Sequence, residues 1–83
     1  MALYFLEYDL RNQRNYSLIA EELKKFDSVR ILESLWCFNR VNTTCENLRN
    51  HFSRFIDKDD GIIVSEVINW ASINSLAIPT NIS

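Results

Sequence analysis

Residues 3–10, reading Leu-Tyr-Phe-Leu-Glu-Tyr-Asp-Leu, constrain the fold of this chain more than any other stretch. They are rich in aromatic and branched side chains, as strands are. A strand here sorts its side chains onto two faces with a period of two. Tyr4, Leu6, Tyr8 and Leu10 share one face and read as core. Leu3, Phe5, Glu7 and Asp9 share the other, with Glu7 and Asp9 roughly 7 Å apart along the strand. That second face is apolar where the strand begins and acidic where it ends. Something apolar should cover its start, and something charged or wet should meet its end.

The remaining segments supply partners for this strand. Residues 11–15, Arg-Asn-Gln-Arg-Asn, read as a loop, with Asn15 a fair helix N-cap. Tyr16, Ile19, Ala20, Leu23 and Phe26 recur at helical spacing and predict a helix over 16–26. Glu21 and Lys25 on its wet side form a favourable i, i+4 pair, and Asp27-Ser28 ends it. Residues 29–41 are strand-like but exceed the usual strand of about 5–6 residues. Two strands, 29–33 and 35–40, with a sharp bend near Ser34, fit this stretch; one long bent strand is the alternative. Thr43 and Glu46 form a capping box for a second helix, whose stripe is Cys45, Leu48, Phe52, Phe55 and Ile56. Residues 57–61 make an acidic turn, and 62–68 a last strand with Ile62, Ile63 and Val64 as its most buried part. Pro79 discourages regular structure in the C-terminal extension, residues 70–83, whose final residues should be loose.

The predicted order is strand, helix, strand, strand, helix, strand. It is the α+β, ferredoxin-like βαββαβ arrangement, with an antiparallel sheet and both helices on one face. The other sheet face would then be bare, and Leu3 and Phe5 lie on it. An uncovered apolar face predicts a partner, and a two-fold homodimer is the simplest one. Leu3, Phe5, Trp36 and Trp70 are the expected interface anchors.

Composition limits the functions open to this chain. Its 83 residues make one domain, 1–83. A net charge of −2 is not the signature of a general nucleic-acid binder, although a local basic patch remains compatible with it. One Gly and one Pro leave no glycine-rich phosphate loop and no flexible linker. No apolar run is long enough to span a membrane, and the N-terminus lacks a signal peptide, so a cytoplasmic location is expected. Cys37 and Cys45 are expected as reduced thiols, since their spacing fits no zinc pattern.

Asp9 is the leading candidate for chemistry. A carboxylate at a strand end can hold Mg²⁺, which binds through one or two carboxylates and keeps several waters. Alone it is a poor site; two copies facing each other across a dimer axis could share the ion. Asp57, Asp59 and Asp60 suggest a calcium loop, but aligning Gly61 to its required position puts Ile56 and Lys58 where carboxylates belong. His51 reads as a partly exposed helix residue without a catalytic constellation. Arg11, Arg14, Arg30 and Arg40 are the arginines that could gather phosphate, although solvated arginines are the commoner outcome.

Taken together, certain segments resemble a known family. They are Tyr8-Asp9-Leu10, the helix over 16–26, the run from Arg30 to Trp36, and the run from Ile56 to Val64. In this order, over residues 2–71, they resemble the small CRISPR-associated Cas-two-like family and its stand-alone relatives. The resemblance implies a ferredoxin-like homodimer. It also implies one of three activities: a metal-dependent nuclease, a toxin-like ribonuclease of the virulence-associated protein D type, or a non-catalytic scaffold for DNA integration. The family's metal-binding Asp ends the first strand, and Asp9 matches it. The family's Ser-Val-Phe segment is matched by Ser34-Leu35-Trp36. The chain departs from the family in its acidic charge, its weakly basic helices and its extra C-terminal stretch.

Two functions are expected from these readings. The first is a Mg²⁺-dependent endoribonuclease, with Asp9 from each subunit on the metal, Arg11 and Arg14 on phosphate, and the Ser34 bend shaping the cleft. The second is a dimeric adaptor that binds a protein partner in a phage-defence, counter-defence or toxin–antitoxin system, with Asp9 merely structural.

Overall fold

The computed structural model describes residues 1–11 and 16–81. Its elements run β1 (Ala2–Asp9), α1 (Tyr16–Lys25), β2 (Val29–Leu32), β3 (Leu35–Arg40), α2 (Cys45–Phe52) and β4 (Gly61–Val67). Short 3-10 turns occupy Ser53–Phe55 and Pro79–Asn81. The four strands form one sheet in the order β2-β3-β1-β4, with every pair of neighbours antiparallel. This is the expected ferredoxin-like α+β fold.

The alternation in β1 sets the core. Tyr4, Leu6 and Tyr8 are buried, whereas Glu7 and Asp9 are exposed. Phe38 stands opposite Tyr4 and Trp36 opposite Leu6, so β3 continues the same layer. Ile19 and Leu23 from α1, and Leu48 and Phe52 from α2, close over it. Three rings pack at its centre, with Phe26 5.3 Å from Phe38 and 4.9 Å from Phe52 between centroids. Contacts in this range gain beyond burial alone.

Trp36, expected at an interface, belongs to this core. It is buried, and its indole N–H donates to the Tyr8 hydroxyl at 3.4 Å. The two residues point to the same sheet face because they lie on neighbouring strands two positions apart in register.

Residues 29–40 form two strands joined by a two-residue turn at Glu33 and Ser34, with Leu32 paired to Leu35. The Tyr8 N–H donates to the Ser34 carbonyl at 3.2 Å, which brings this turn to the C-terminal end of β1. α1 ends as Asp27 turns left-handed at φ 55, and the Ser28 hydroxyl donates back to the Leu23 carbonyl. Lys25 reaches Glu22 at 3.5 Å rather than the expected Glu21.

Further details differ from the expected pattern. The cap of α2 is Thr44, whose hydroxyl accepts the Asn47 N–H at 3.1 Å, one residue later than the Thr43 box. Ile63 is not part of the buried run; it is 65% exposed, because β4 alternates and Ile62 and Val64 take the core side. The predicted cap Asn15 lies outside the described residues.

The sheet face opposite the helices is not bare. Residues 70–79 run across it, and the Leu76 N–H donates to the Ile31 carbonyl at 2.9 Å on the β2 edge. Phe5, Leu35 and Trp70 line the apolar groove of about 230 Å³ left beneath this segment. This segment keeps apolar side chains in solvent, Ile73 and Leu76 among them, and Ile63 and Ile68 are exposed as well. None of the helices is long and apolar enough to cross a membrane, among the described residues.

Candidate functional site

Asp9 closes β1 and faces Gly61, the first residue of β4. Its carboxylate is 71% exposed. The chain leaves the strand at Leu10, whose side chain is buried, and this anchors the next residue over the strand end. Arg11 then folds back. Its Nε–H donates to Asp9 Oδ2 at 3.1 Å, and an Nη1–H donates to the Asp59 carbonyl at 3.2 Å.

The acidic turn supplies the other half of the site. Asp60 Oδ1 accepts the Arg11 backbone N–H at 2.7 Å, and its Oδ2 accepts the Asp57 N–H at 2.8 Å. The Asp60 N–H donates to the Asp57 carbonyl at 3.0 Å. Asp60 therefore holds its own turn and pins the start of the loop after β1. This is the local bonding by which Asp favours turns. The carboxylate of Asp60 thus organises backbone.

Glu7, Tyr8, Asp9, Arg11 and the first residues of β4 enclose an open depression of about 230 Å³. The Ser34 turn lies near it through the Tyr8 backbone bond. Asp9, Arg11 and Ser34 therefore gather at one end of the sheet. Leu3 and Phe5 lie elsewhere along β1, half-buried on the face that the C-terminal segment crosses, and Trp70 lines the same groove as Phe5. Arg14 lies outside the described residues. Arg40 is committed to structure: its guanidinium sits 4.0 Å over the Phe26 ring and reaches the Phe26 carbonyl at 3.5 Å.

A divalent metal fits this end of a single chain poorly. Among the described residues no group of three or more His, Cys, Asp or Glu could hold an ion. Asp9 is the carboxylate at the strand end, and a cation from its own chain already engages it.

A second polar contact escaped the sequence reading. His51 Nε2–H donates to Glu22 Oε2 at 2.6 Å and ties α2 to α1. The imidazole lies against the Phe26, Phe52 and Phe55 rings. The His51 hydrogen bond holds the Glu22 carboxyl below its ordinary value of 4.5, with Lys25 adding to the effect against partial burial. The signal was present as one His on the flank of an aromatic stripe, but its partner is 29 residues away. The two thiols are free; burial pushes Cys37 up to about 11, which leaves it protonated and inert at neutral pH.

The family model described as CRISPR associated protein Cas2 matches residues 1–72. That span takes in all four strands and both helices, and it ends inside the segment that crosses the open sheet face. No solved structure matches the chain.

Proposed function

The chain belongs to the CRISPR-associated Cas2 family, and we propose that within it this protein is a dimeric adaptor that binds a protein partner without cutting nucleic acid. One observation carries this reading: the carboxylate expected to do chemistry is ion-paired to Arg11, which is itself held to the 57–60 turn. The acidic balance of the chain supports it, since a long phosphate backbone is met by basic surfaces. The dimer is supported by the number of large apolar residues left in solvent on and after β4, Ile63, Ile68, Ile73 and Leu76 among them. Solvent contact over such a patch is unfavourable, and a second copy would remove it. Phage defence, counter-defence and toxin–antitoxin systems are the settings in which such an adaptor would serve.

The test is an incubation of the protein and its Asp9→Ala variant with labelled RNA and DNA in Mg²⁺. The expected outcome is intact nucleic acid in every lane, with a dimer mass by light scattering. Cleavage by the wild type that disappears in Asp9→Ala would overturn the adaptor and establish the second reading.

That second reading is a Mg²⁺-dependent endoribonuclease. The exposure of Asp9 at the mouth of a depression favours it, because an exposed ion pair is worth only about 0–1 kcal/mol and can be displaced. The metal would polarise a phosphodiester, but one chain does not fit it. A second copy would have to bring its own Asp9, with Arg11 released towards phosphate. Fold shared with nucleases does not itself supply the activity.

A further inference from the structure

We propose that Arg11 is the built-in counter-ion of Asp9, a positioning residue seated by Gly61 that keeps divalent cations off the end of β1. The guanidinium flanks the Asp9 carboxylate, its Nε 3.1 Å from Oδ2, so a positive charge already stands on the side an incoming cation would approach. Two further bonds keep it there: the Asp59 carbonyl accepts from Nη1, and Asp60 Oδ1 holds the Arg11 backbone N–H.

Gly61 completes the seat. It is the chain's single glycine, and its φ is not positive, so the backbone does not demand glycine here. Space does. A Cβ at position 61 would stand 3.0 Å from Arg11 Nη2 and 3.6 Å from Cζ. A side chain opposite Asp9 would make the Nη2 end of the guanidinium give by a few tenths of an ångström. What it would move is the far end of a flexible side chain, so the displacement is cheap and the fold survives it. Gly61 therefore offers a way to shift Arg11 without deleting it.

The consequence concerns the residues themselves and does not rest on the adaptor reading, because no readout uses a partner or a substrate. With Arg11 in place, an incoming cation meets a tethered positive charge and must break an existing ion pair. With Arg11 removed, Asp9 is an exposed carboxylate with Glu7 two residues back on the same strand face.

The experiment is a Mn²⁺ titration of ¹⁵N-labelled protein, read as paramagnetic broadening of amide signals at the C-terminal end of β1 and the start of β4. Wild type, Arg11→Ala, Gly61→Ala and the double variant Asp9→Asn with Arg11→Ala are compared, each first shown to be folded by its amide spectrum. Arg11→Ala is expected to need about fivefold less Mn²⁺ than wild type for equal broadening, the size of one exposed ion pair. Gly61→Ala should move in the same direction by less, and the double variant should lose the gain. Equal broadening of wild type and Arg11→Ala would overturn the proposal, as would no local broadening in either. Should Arg11→Ala fail to fold, Arg11→Gln, which removes the charge and keeps most of the side chain, takes its place: wild-type behaviour in it is the negative result. Phosphodiesterase activity plays no part, so the outcome stays separate from that of the cleavage assay.

Discussion

The two faces of the sheet are built from the same strands and end up with opposite characters. On the helix side, Leu6 and Phe38 have no exposed surface, and Tyr4 and Trp36 have almost none. On the other side, Cys37 and Ile31 are buried, Leu3, Phe5 and Leu35 are half-buried and Ile63 is largely in solvent. Two helices with apolar stripes close the first face. A segment without regular strand or helix structure before Pro79 crosses the second, and a backbone hydrogen bond from Leu76 to Ile31 joins it to the β2 edge. The first face holds the larger share of the buried side chains. The second is the one on which a partner can still act.

The largest expected effect lies in the closed face. Phe38→Ala should cost about 3–5 kcal/mol in a urea or guanidinium melt, as large-to-small changes among packed rings do. A chain of this size is stable by roughly 4–12 kcal/mol, so the variant would sit close to its unfolding limit. Ending the chain at Ile68 strips the open face instead. The expected loss is about 2–3 kcal/mol, from uncovering Ile31, Phe5 and Leu35 and breaking the bond from Leu76 to Ile31. The truncated chain should keep its far-ultraviolet circular dichroism and bind a hydrophobic dye more strongly. A loss equal to that of Phe38→Ala would abolish the distinction between the faces.

Below these in size comes the helix cap. Thr44→Ala should destabilise by about 1 kcal/mol, and Thr43→Ala by clearly less, since the Asn47 N–H is bonded by Thr44 alone of the two. Equal losses at the two positions would restore the cap that the sequence suggested. Acid sharpens the comparison further, because the Glu22–His51 contact belongs to the helix layer over the closed face. Glu22 is held below 4.5 by the His51 hydrogen bond. Its contribution is therefore present above that value and is lost as pH falls through the lower folded value. Glu22→Gln should lower the melting temperature at pH 6, and the difference from wild type should shrink steadily below pH 4.5. A difference that stays constant down to pH 3 would remove the carboxylate from this account.

What could be read from the sequence follows from how far each signal travels along the chain. Alternation in 3–10 and the helical stripes act within a few residues, so element order, helix faces and the fold class were legible. The cap was misplaced by one position because adjacent threonines offer the same chemistry, and only backbone geometry chooses between them. The run Ile62-Ile63-Val64 suggested a buried segment, but a strand with one open face must turn its middle residue outward. Trp36 was assigned to a surface because a large aromatic suits an interface as well as a core; register with Tyr8 decides it. The candidate site was half legible. Asp9 and Arg11 are neighbours in sequence, but the turn that seats Arg11 is 48 and 49 residues away. The path of residues 70–79 across their own sheet is likewise a long-range fact.

The smallest expected effect on stability sits on the open face and is the most telling about function. Ile63 is 65% exposed on β4, beside the strand that carries Glu7 and Asp9. Ile63→Ser removes little buried area, so its melt should agree with wild type within about 0.5 kcal/mol. Self-association is a different quantity. In a dimer formed over Ile63, Ile68, Ile73 and Leu76, the same substitution places a hydroxyl in the apolar contact and should raise the dimer dissociation constant about tenfold, a 1.4 kcal/mol change. Sedimentation of both proteins over a concentration series separates the two quantities. An unchanged dissociation constant moves the interface off this surface, whereas a weakened dimer with an unchanged melt shows an apolar side chain that serves association and leaves folding to the opposite face.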